Sequence, residues 1–253
     1  MASSEILKQL VVLSNNLGRP EMDYVILGEG NTSARAGDGA FWVKSSGTEL
    51  RTITAGGFVR VNVERALKVT DGPELDDEQV KEALAAARMV PGAPGRPSVE
   101  TLLHAQLLNL EGIRFVGHTH PTAINSLTCS VAFPEIFKGR LFPDEIVLCG
   151  AAPLLVPYTD PGLPLARRLK GLLGEYLKKH GEAPRIILMQ NHGLVALGGT
   201  AKQVEDITAM AVKTARVLLG AYAAGGPRYL APKAVARIHT RPDEIYRRRQ
   251  LGV

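Results

Sequence analysis

The feature that most constrains this chain is the stretch over residues 98–121, SVETLLHAQLLNLEGIRFVGHTHP, in which an apolar helix is followed by an apolar strand. The strand, predicted over residues 114–120, ends in His118-Thr119-His120. Side chains at positions i and i+2 of a strand point to one face, so these two imidazoles can bind one ion. Taken alone, the pair is weak evidence for a metal, and paired histidines that pack in the core or lie on the surface are the favoured interpretation.

A third histidine favours the metal interpretation. His192 lies in the turn QNHG at residues 190–193, which also follows an apolar strand. Gly193 lets the backbone bend sharply after it. Three neutral imidazoles with an open fourth position are a common arrangement at catalytic zinc sites. The sequence therefore predicts a metal site formed by His118, His120 and His192.

Glu100 adds a carboxylate in the first turn of the helix that Ser98 is expected to cap. It either takes part in the chemistry of the site or only complements the helix dipole. For proton transfer, partial burial and then the charge of a metal should move its pKa towards neutrality. His104 follows four residues later on the same helical face. For His104 a buried, hydrogen-bonded role is favoured over metal ligation.

Two loops and one helix start offer the backbone N–H groups and hydroxyls that bind anions. They are Gly30-Asn31-Thr32-Ser33, Ser45-Ser46-Gly47-Thr48 and Ser98. Each could also be an ordinary turn. The chain has neither the third glycine of a dinucleotide-binding motif nor a phosphate-binding P-loop, so nucleotide chemistry is unsupported.

Composition narrows the class of protein. The chain has 253 residues, 45% of them hydrophobic, and we predict one domain over residues 1–253 with 226–253 as a C-terminal tail. Its net charge of +5 is scattered and aromatic residues make up 5%, which argues against nucleic-acid binding. No segment approaches the roughly 20 apolar residues that span a bilayer, and Lys8 interrupts the N-terminal apolar run. Cys129 and Cys149 are interpreted as reduced core thiols of a cytoplasmic protein.

Periodicity predicts an α/β domain with a largely antiparallel or mixed sheet. A turn over residues 28–33 is expected to lead into a glycine-rich loop at 37–39. Helices are predicted over residues 4–17, 76–89, 122–128, 165–179 and 204–224, besides the one that follows Ser98. Further strands are predicted over 41–44, 58–63, 145–148, 154–156, 185–189 and 194–197.

In this order along the chain, the motifs resemble those of the class II aldolase/adducin family, over roughly residues 5–225. The motifs are Gly30-Asn31-Thr32-Ser33, Ser45-Ser46-Gly47, Pro97-Ser98-Val99-Glu100 with His104, His118-Thr119-His120-Pro121 and Asn191-His192-Gly193. WVKSSGTEL and RPSVETLLH are most similar to the aldolase part of bacterial rhamnulose-1-phosphate aldolase/alcohol dehydrogenase proteins, without their dehydrogenase part. Fuculose-1-phosphate aldolase and ribulose-5-phosphate 4-epimerase are more distant relatives.

The resemblance implies a three-layer α/β/α sandwich around a central, mainly antiparallel sheet, in a homotetramer with sites between subunits. It also implies that His118, His120 and His192 bind Zn2+, with another divalent metal possible, and that Glu100 is catalytic. The positions implied to hold a substrate phosphate are Asn31, Ser46, Gly47 and Ser98.

Two departures from the family pattern concern the substrate. Val99 stands where many sugar-phosphate enzymes of the family have a second hydroxyl residue, and Lys44 or Arg96 could compensate with a positive charge. The family's aldolases also use a tyrosine as general acid, but none occurs in the segment over residues 133–142. Tyr246 and Tyr158 are the alternatives.

The resulting hypothesis is a zinc-dependent aldolase that cleaves a small ketose or ketose 1-phosphate by a retro-aldol reaction through a metal-bound enediolate. One alternative is a sugar-phosphate 4-epimerase or a decarboxylase with the same metal site. The other is a non-catalytic interaction module like the head of adducin. The sugar, its phosphorylation and the oligomeric state stay open.

Overall fold

A seven-stranded sheet forms the centre of the protein, which is described here by a computed structural model over residues 3–251. The strands lie in the order β3-β2-β1-β4-β7-β6-β5, and each neighbouring pair is antiparallel except β5 and β6. They are β1 Asn31–Gly37, β2 Ala40–Lys44, β3 Phe58–Asn62, β4 Phe115–Thr119, β5 Leu154–Val156, β6 Ile186–Met189 and β7 Gly193–Gly198.

Helices cover both faces of this sheet. They are α1 Ser3–Leu17, α2 Val63–Asp71, α3 Asp77–Ala86, α4 Thr101–Leu108, α5 Thr122–Thr128, α6 Pro143–Cys149, α7 Leu163–His180, α8 Ala201–Ala223, α9 Pro232–Thr240 and α10 Pro242–Leu251. Helices α1, α5 and α8 pack on one face, and α2, α4 and α7 pack on the other. The predicted α/β/α sandwich around a mainly antiparallel sheet is confirmed.

Local sequence signals explain several of these elements. Helix α1 buries Ile6, Leu10, Leu13 and Leu17, which recur at the spacing of one helical face. Helix α3 starts at a capping box, in which the Asp76 side chain accepts a hydrogen bond from the backbone N–H of Gln79 and the Gln79 side chain accepts one from the backbone N–H of Asp76. These signals act over three or four residues, so they can be identified from the sequence.

Strand β1 was not predicted, because its sequence NTSARAG has a single β-branched residue, Thr32, and no aromatic residue to mark a strand. The expected turn over residues 28–33 therefore ends three residues earlier, and Asn31 is the first residue of a buried strand. The register pairs Asn31 with His118 and Ser33 with Val116. This pairing brings the Gly-Asn-Thr-Ser motif beside the two histidines of β4.

Other predictions about local structure were wrong. Residues 145–148 belong to helix α6, because Pro143 and Asp144 provide a helix start and a short apolar run fits either structure. Ser98 does not cap α4, since Glu100 occupies the N-cap position. Cys149 is buried as expected, but Cys129 is exposed, and neither forms a disulfide.

Helix α2 and the two tail helices were also not predicted. Helix α9 packs against α6, and the hydroxyl of Tyr229 donates a hydrogen bond to the carbonyl of Ile136.

Among residues 3–251, no helix is long and apolar enough to cross a membrane.

Candidate metal centre

The three histidines predicted as metal ligands meet at one edge of the sheet. His118 lies in β4, His120 follows that strand, and His192 lies in the turn between β6 and β7. One ligand nitrogen from each lies within 4.8 Å of the other two. The Nε2 atoms of His118 and His120 are 3.0 Å apart. The sequence alone placed two of these side chains together, and the pairing of β4 with β7 adds the third.

Backbone contacts fix the turn that carries His192. Asn191 has a positive φ of 52°, and its N–H donates to the carbonyl of Thr128. Gly193 must be glycine, because a Cβ there would lie 2.6 Å from the carbonyl oxygen of Thr119 and 2.7 Å from Cδ2 of His120. The glycine therefore lets the turn approach β4 closely enough to bring His192 to the other histidines.

A second hydrogen bond orients the ring of His118, and a carboxylate faces the ring of His120. Nδ1–H of His118 donates to the carbonyl of Leu194 at 3.0 Å, which leaves Nε2 as the free lone pair. Nδ1 of His120 faces Oε1 of Glu29 at 3.8 Å, while Oε2 of Glu29 accepts a hydrogen bond from the backbone N–H of Ile26. Glu29 was not singled out from the sequence, because its position beside His120 depends on the loop that precedes β1.

Glu100 completes the metal centre, which we define as His118, His120, His192 and Glu100. Its Oε1 lies 3.1 Å from Nε2 of His192 and 3.5 Å from Nε2 of His118. Its Oε2 accepts a hydrogen bond from Nδ2 of Asn31. Glu100 makes no side-chain capping bond to α4. The carboxylate is therefore directed to the histidines and not to its own helix.

The charges in the metal centre are strongly coupled. Burial opposes ionisation of Glu100, but His118 and His192 outweigh it and hold the pKa of this carboxyl well below its usual value. Burial also opposes protonation of His118, yet Glu100 raises the pKa of its imidazole. Burial and the neighbouring His118 and His192 lower the pKa of His120 to about 3. The expected shift of Glu100 towards neutrality is thus not found, because neighbouring imidazoles favour the carboxylate.

The donor set fits a divalent metal. Tetrahedral zinc with ligands at about 2.1 Å has donor atoms roughly 3.4 Å apart. The Nε2 atom of His118 lies 3.0 Å from that of His120, and Oε1 of Glu100 lies 3.1 and 3.5 Å from the two histidines it approaches. His120 remains neutral at ordinary pH, as a ligand must be. His118, His120 and His192 would therefore hold the ion, with Glu100 beside it.

The remaining predicted positions form a second region, which we call the serine loops: Ser46, Gly47 and Ser98. An antiparallel bridge between Ser45 and Pro97 brings the two loops into contact. Ser46 and Gly47 are exposed, whereas the Oγ atom of Ser98 is buried without a hydrogen-bond partner. Asn31 lies apart from this group, because its side chain contacts Glu100 and His104.

Two neighbours of the serine loops bear on their chemistry. Lys44 is 4% exposed, and its Nζ donates to the carbonyl of Gly28 at 3.0 Å. Burial lowers the pKa of this ammonium, and the nearby Glu100 carboxylate partly offsets that effect. Val99 packs with apolar residues under α7 and offers no hydroxyl. Arg96 is exposed, so of the two cations named from the sequence only Lys44 is buried close to Glu100.

Neither candidate tyrosine is buried in the metal centre. Tyr158 is 58% exposed and donates from its hydroxyl to Asp160, and Tyr246 on α10 is 64% exposed.

A cavity of about 320 Å³ lies beside His120 and is open to a small ligand. Its lining residues are Asp23, Val25, Ile26, Glu29, His120, Thr122, Asn125, Ser126 and Cys129.

Comparison with known proteins identifies relatives over most of the chain. The sequence model of the Class II Aldolase and Adducin N-terminal domain family matches residues 8–219. The "Uncharacterized oxidoreductase YuxG" of Bacillus subtilis is 31% identical over 203 residues, which is 77% of this chain and 27% of that protein. A "Probable bifunctional methylthioribose-1-phosphate isomerase/methylthioribulose-1-phosphate dehydratase" of Nocardia farcinica is 27% identical over 181 residues, which is 70% of this chain and 29% of that protein. The chain thus spans less than a third of the length of these two relatives.

Solved structures share the fold. The N-terminal class II aldolase domain of a conserved Thermoplasma acidophilum protein superposes with a TM-score of 0.66 at 28% identity, covering 84% of this chain and 93% of that one. YgbL from Klebsiella pneumoniae gives a TM-score of 0.71 at 20% identity, covering 94% and 99%. L-fuculose 1-phosphate aldolase from Glaciozyma antarctica gives 0.64 at 18% identity, covering 93% and 80%.

Proposed function

Because the chain belongs to the class II aldolase and adducin family, we propose that it is a metal-dependent carbon–carbon lyase that cleaves a small ketose or ketose 1-phosphate by a retro-aldol reaction. The observation that carries this proposal is the convergence of three imidazoles with the Glu100 carboxylate. A resemblance to rhamnulose-1-phosphate aldolases in particular remains part of the proposal. The names of the relatives supply no substrate for this chain.

The histidines would hold the metal, with Zn2+ favoured over other divalent ions because imidazole suits it. When bound, such an ion supplies Lewis-acid polarisation of a substrate carbonyl. The chain's own contribution is to fix the donor atoms: the backbone carbonyl of Leu194 orients His118, and Glu29 faces His120. These contacts favour a site assembled before the substrate arrives.

Glu100 is proposed to move the proton. Cleavage breaks the bond between C3 and C4 of the ketose; the C4 hydroxyl loses its proton as the aldehyde forms, and the electron pair stays on C3. The Glu100 carboxylate would take up the C4 hydroxyl proton and return it to C3, and it would remove that proton from C3 in the reverse reaction. Its Oε1 lies next to the histidine nitrogens, where a substrate carbon beside the carbonyl would lie.

The serine loops are proposed to bind the other end of the substrate. The buried Oγ of Ser98 lacks a partner. The N–H of Ser46 already donates to the carbonyl of Arg96, so exposed Ser46 would contribute its hydroxyl and exposed Gly47 its backbone N–H. Asn31 was assigned to the same role, but its contact with Glu100 supports a place next to the reacting atoms. Lys44 would supply the positive charge if the substrate carries a phosphate.

The test is a screen of zinc-loaded protein against free ketoses and ketose 1-phosphates, with identification of every product. Release of an aldehyde and stoichiometric zinc are the expected results. An epimer, carbon dioxide or a dehydrated sugar would replace the lyase by an epimerase, a decarboxylase or a dehydratase with the same metal site. A protein that binds no metal and turns over nothing would favour an adducin-like interaction module.

Three further assignments belong to this proposal. We propose one domain over residues 1–253 with a C-terminal tail, a homotetramer, and a cytoplasmic location. The tetramer would bring a tyrosine such as Tyr246 from a neighbouring subunit towards the metal centre. Light scattering of the purified protein measures the oligomeric state, and a monomer with full activity would contradict a site shared between subunits.

A further inference from the structure

We propose that His104 is a positioning residue which, together with Ser33, fixes the side-chain amide of Asn31 and thereby the carboxylate of Glu100. This inference rests on the proposed function, in which Glu100 transfers the proton. His104 would touch neither the substrate nor the metal. It would act through a hydrogen-bond chain that runs in one direction from Ser33 to Glu100.

The direction of the chain follows from the chemistry of its members. Nε2 of His104 is hydrogen-bonded to Oδ1 of Asn31, and an amide oxygen only accepts, so Nε2 carries the proton. Nδ1 of the same neutral ring is then an acceptor, and the hydroxyl of Ser33 donates to it at 2.6 Å. The Ser33 hydroxyl, which can donate or accept, therefore satisfies the ring nitrogen of the tautomer that Asn31 requires.

The Nε2–H group of His104 and the carboxylate of Glu100, which only accepts, together decide which way Asn31 faces. With Oδ1 held by His104, Nδ2 of Asn31 points to Glu100 and donates to Oε2. A reversed amide would set its oxygen against the carboxylate and its N–H group against the N–H of His104. Both contacts are repulsive, so one orientation is favoured.

The surroundings of His104 argue against roles as a charged group or as a metal ligand. Its ring is fully buried, and burial with the nearby His118 lowers its pKa to about 3, so it stays neutral. Both ring nitrogens are engaged by Ser33 and Asn31, which leaves no lone pair for a metal. The Glu100 carboxylate makes no hydrogen bond to its own helix. Asn31 is therefore the neutral donor that holds Oε2 of Glu100, while Oε1 of Glu100 faces the histidines.

Four variants test the inference. His104→Leu removes both hydrogen bonds, His104→Gln restores a donor towards Asn31, and Ser33→Ala removes the hydrogen bond to Nδ1 of His104. The matched control is Gln106→Leu, on the same helix, which removes another buried hydrogen bond, to the carbonyl of Ala166 at 2.9 Å. Zinc affinity, thermal midpoint, kcat and KM are measured for each.

We expect His104→Leu to lower kcat by about 10- to 100-fold with little change in KM. A loss of about this size is usual when a residue that orients a ligand or a catalytic group is removed. His104→Gln should recover most of this loss. Gln106→Leu should lower the thermal midpoint but leave kcat per zinc-loaded molecule unchanged. Equal losses of stability in His104→Leu and Gln106→Leu, with kcat unchanged in both, would show that His104 is only structural.

The proton position is read independently of activity by 15N NMR of histidine-labelled, metal-free protein. The expected spectrum shows His104 protonated at Nε2 in the wild type and also in Ser33→Ala, because Oδ1 of Asn31 still accepts from Nε2. A wild-type ring protonated at Nδ1 would overturn the inference. If the protein cleaves no ketose, the proposed function fails, and this spectrum still decides the direction of the hydrogen bonds.

Discussion

The metal centre and the serine loops differ in how they are built. In the metal centre, paired strands and short backbone contacts bring four side chains together, and His118 is only 1% exposed. In the serine loops, Ser46 and Gly47 are exposed and the Ser98 hydroxyl has no partner. The sheet thus brings the side chains of the metal centre together through its own strand pairing, whereas the serine loops leave polar groups that a ligand could satisfy.

The largest expected effect tests the metal centre. Glu100→Gln keeps the size and the hydrogen bond to Asn31 but cannot carry the proton, so kcat should fall by about 100- to 10,000-fold. Steady-state kinetics on the substrate found by the screen would measure this. Glu111→Gln, at an exposed carboxylate, is the matched control and should keep wild-type kinetics. Full activity in Glu100→Gln would remove Glu100 from the mechanism.

Loss of one histidine should lower the affinity for the metal and not only the reaction rate. His192→Ala leaves two imidazoles, and we expect zinc affinity to fall by more than about 100-fold, since loss of an outer contact already costs up to that much. Competition with a chelator measures the affinity. The control is His180→Ala, at the end of α7. Unchanged zinc binding in His192→Ala would mean that the ion, if bound, lies elsewhere.

Two glycine-to-alanine substitutions compare the close backbone approach at the sheet edge with an open helix surface. Gly193→Ala would push a methyl group into Thr119 and His120, and it should cost about 1–3 kcal/mol of unfolding free energy and weaken zinc binding. Gly174→Ala, in α7 with open space around it, should stabilise by about 0.5–1 kcal/mol. Denaturant unfolding and zinc titration compare the two. Equal stability of both variants would contradict the close approach at Gly193.

The smallest expected effect lies in the serine loops. Ser98→Ala removes a hydroxyl that has no partner in the free protein, so stability should stay unchanged. If the hydroxyl binds the substrate, KM should rise by about 2- to 10-fold, equivalent to about 0.5–1.5 kcal/mol, with kcat constant. Ser4→Ala, exposed on α1, serves as the control. An unchanged KM would mean that the substrate does not reach Ser98.

Much of the fold was predictable where the signal is local. The helices α1, α5, α7 and α8 and the strands β2, β4, β5, β6 and β7 lie close to the predicted ranges. Strand β1 and helix α6 were not identified, because small polar residues and a short apolar run do not specify one structure. Asn31 was singled out, but its contacts with Glu100 and His104 could not be, since they depend on pairing between distant strands.

By itself, the sequence determined that His118 and His120 share a face, because alternation along a strand is a local property. It also determined that His192 lies in a turn and that Glu100 lies at a helix start. Only the tertiary structure decided that these groups meet, through the register of β1, β4 and β7. It also decided that Asn31 holds Glu100 and that Ser98 does not cap its helix. Contacts between residues far apart in the chain depend on packing, which no local pattern encodes.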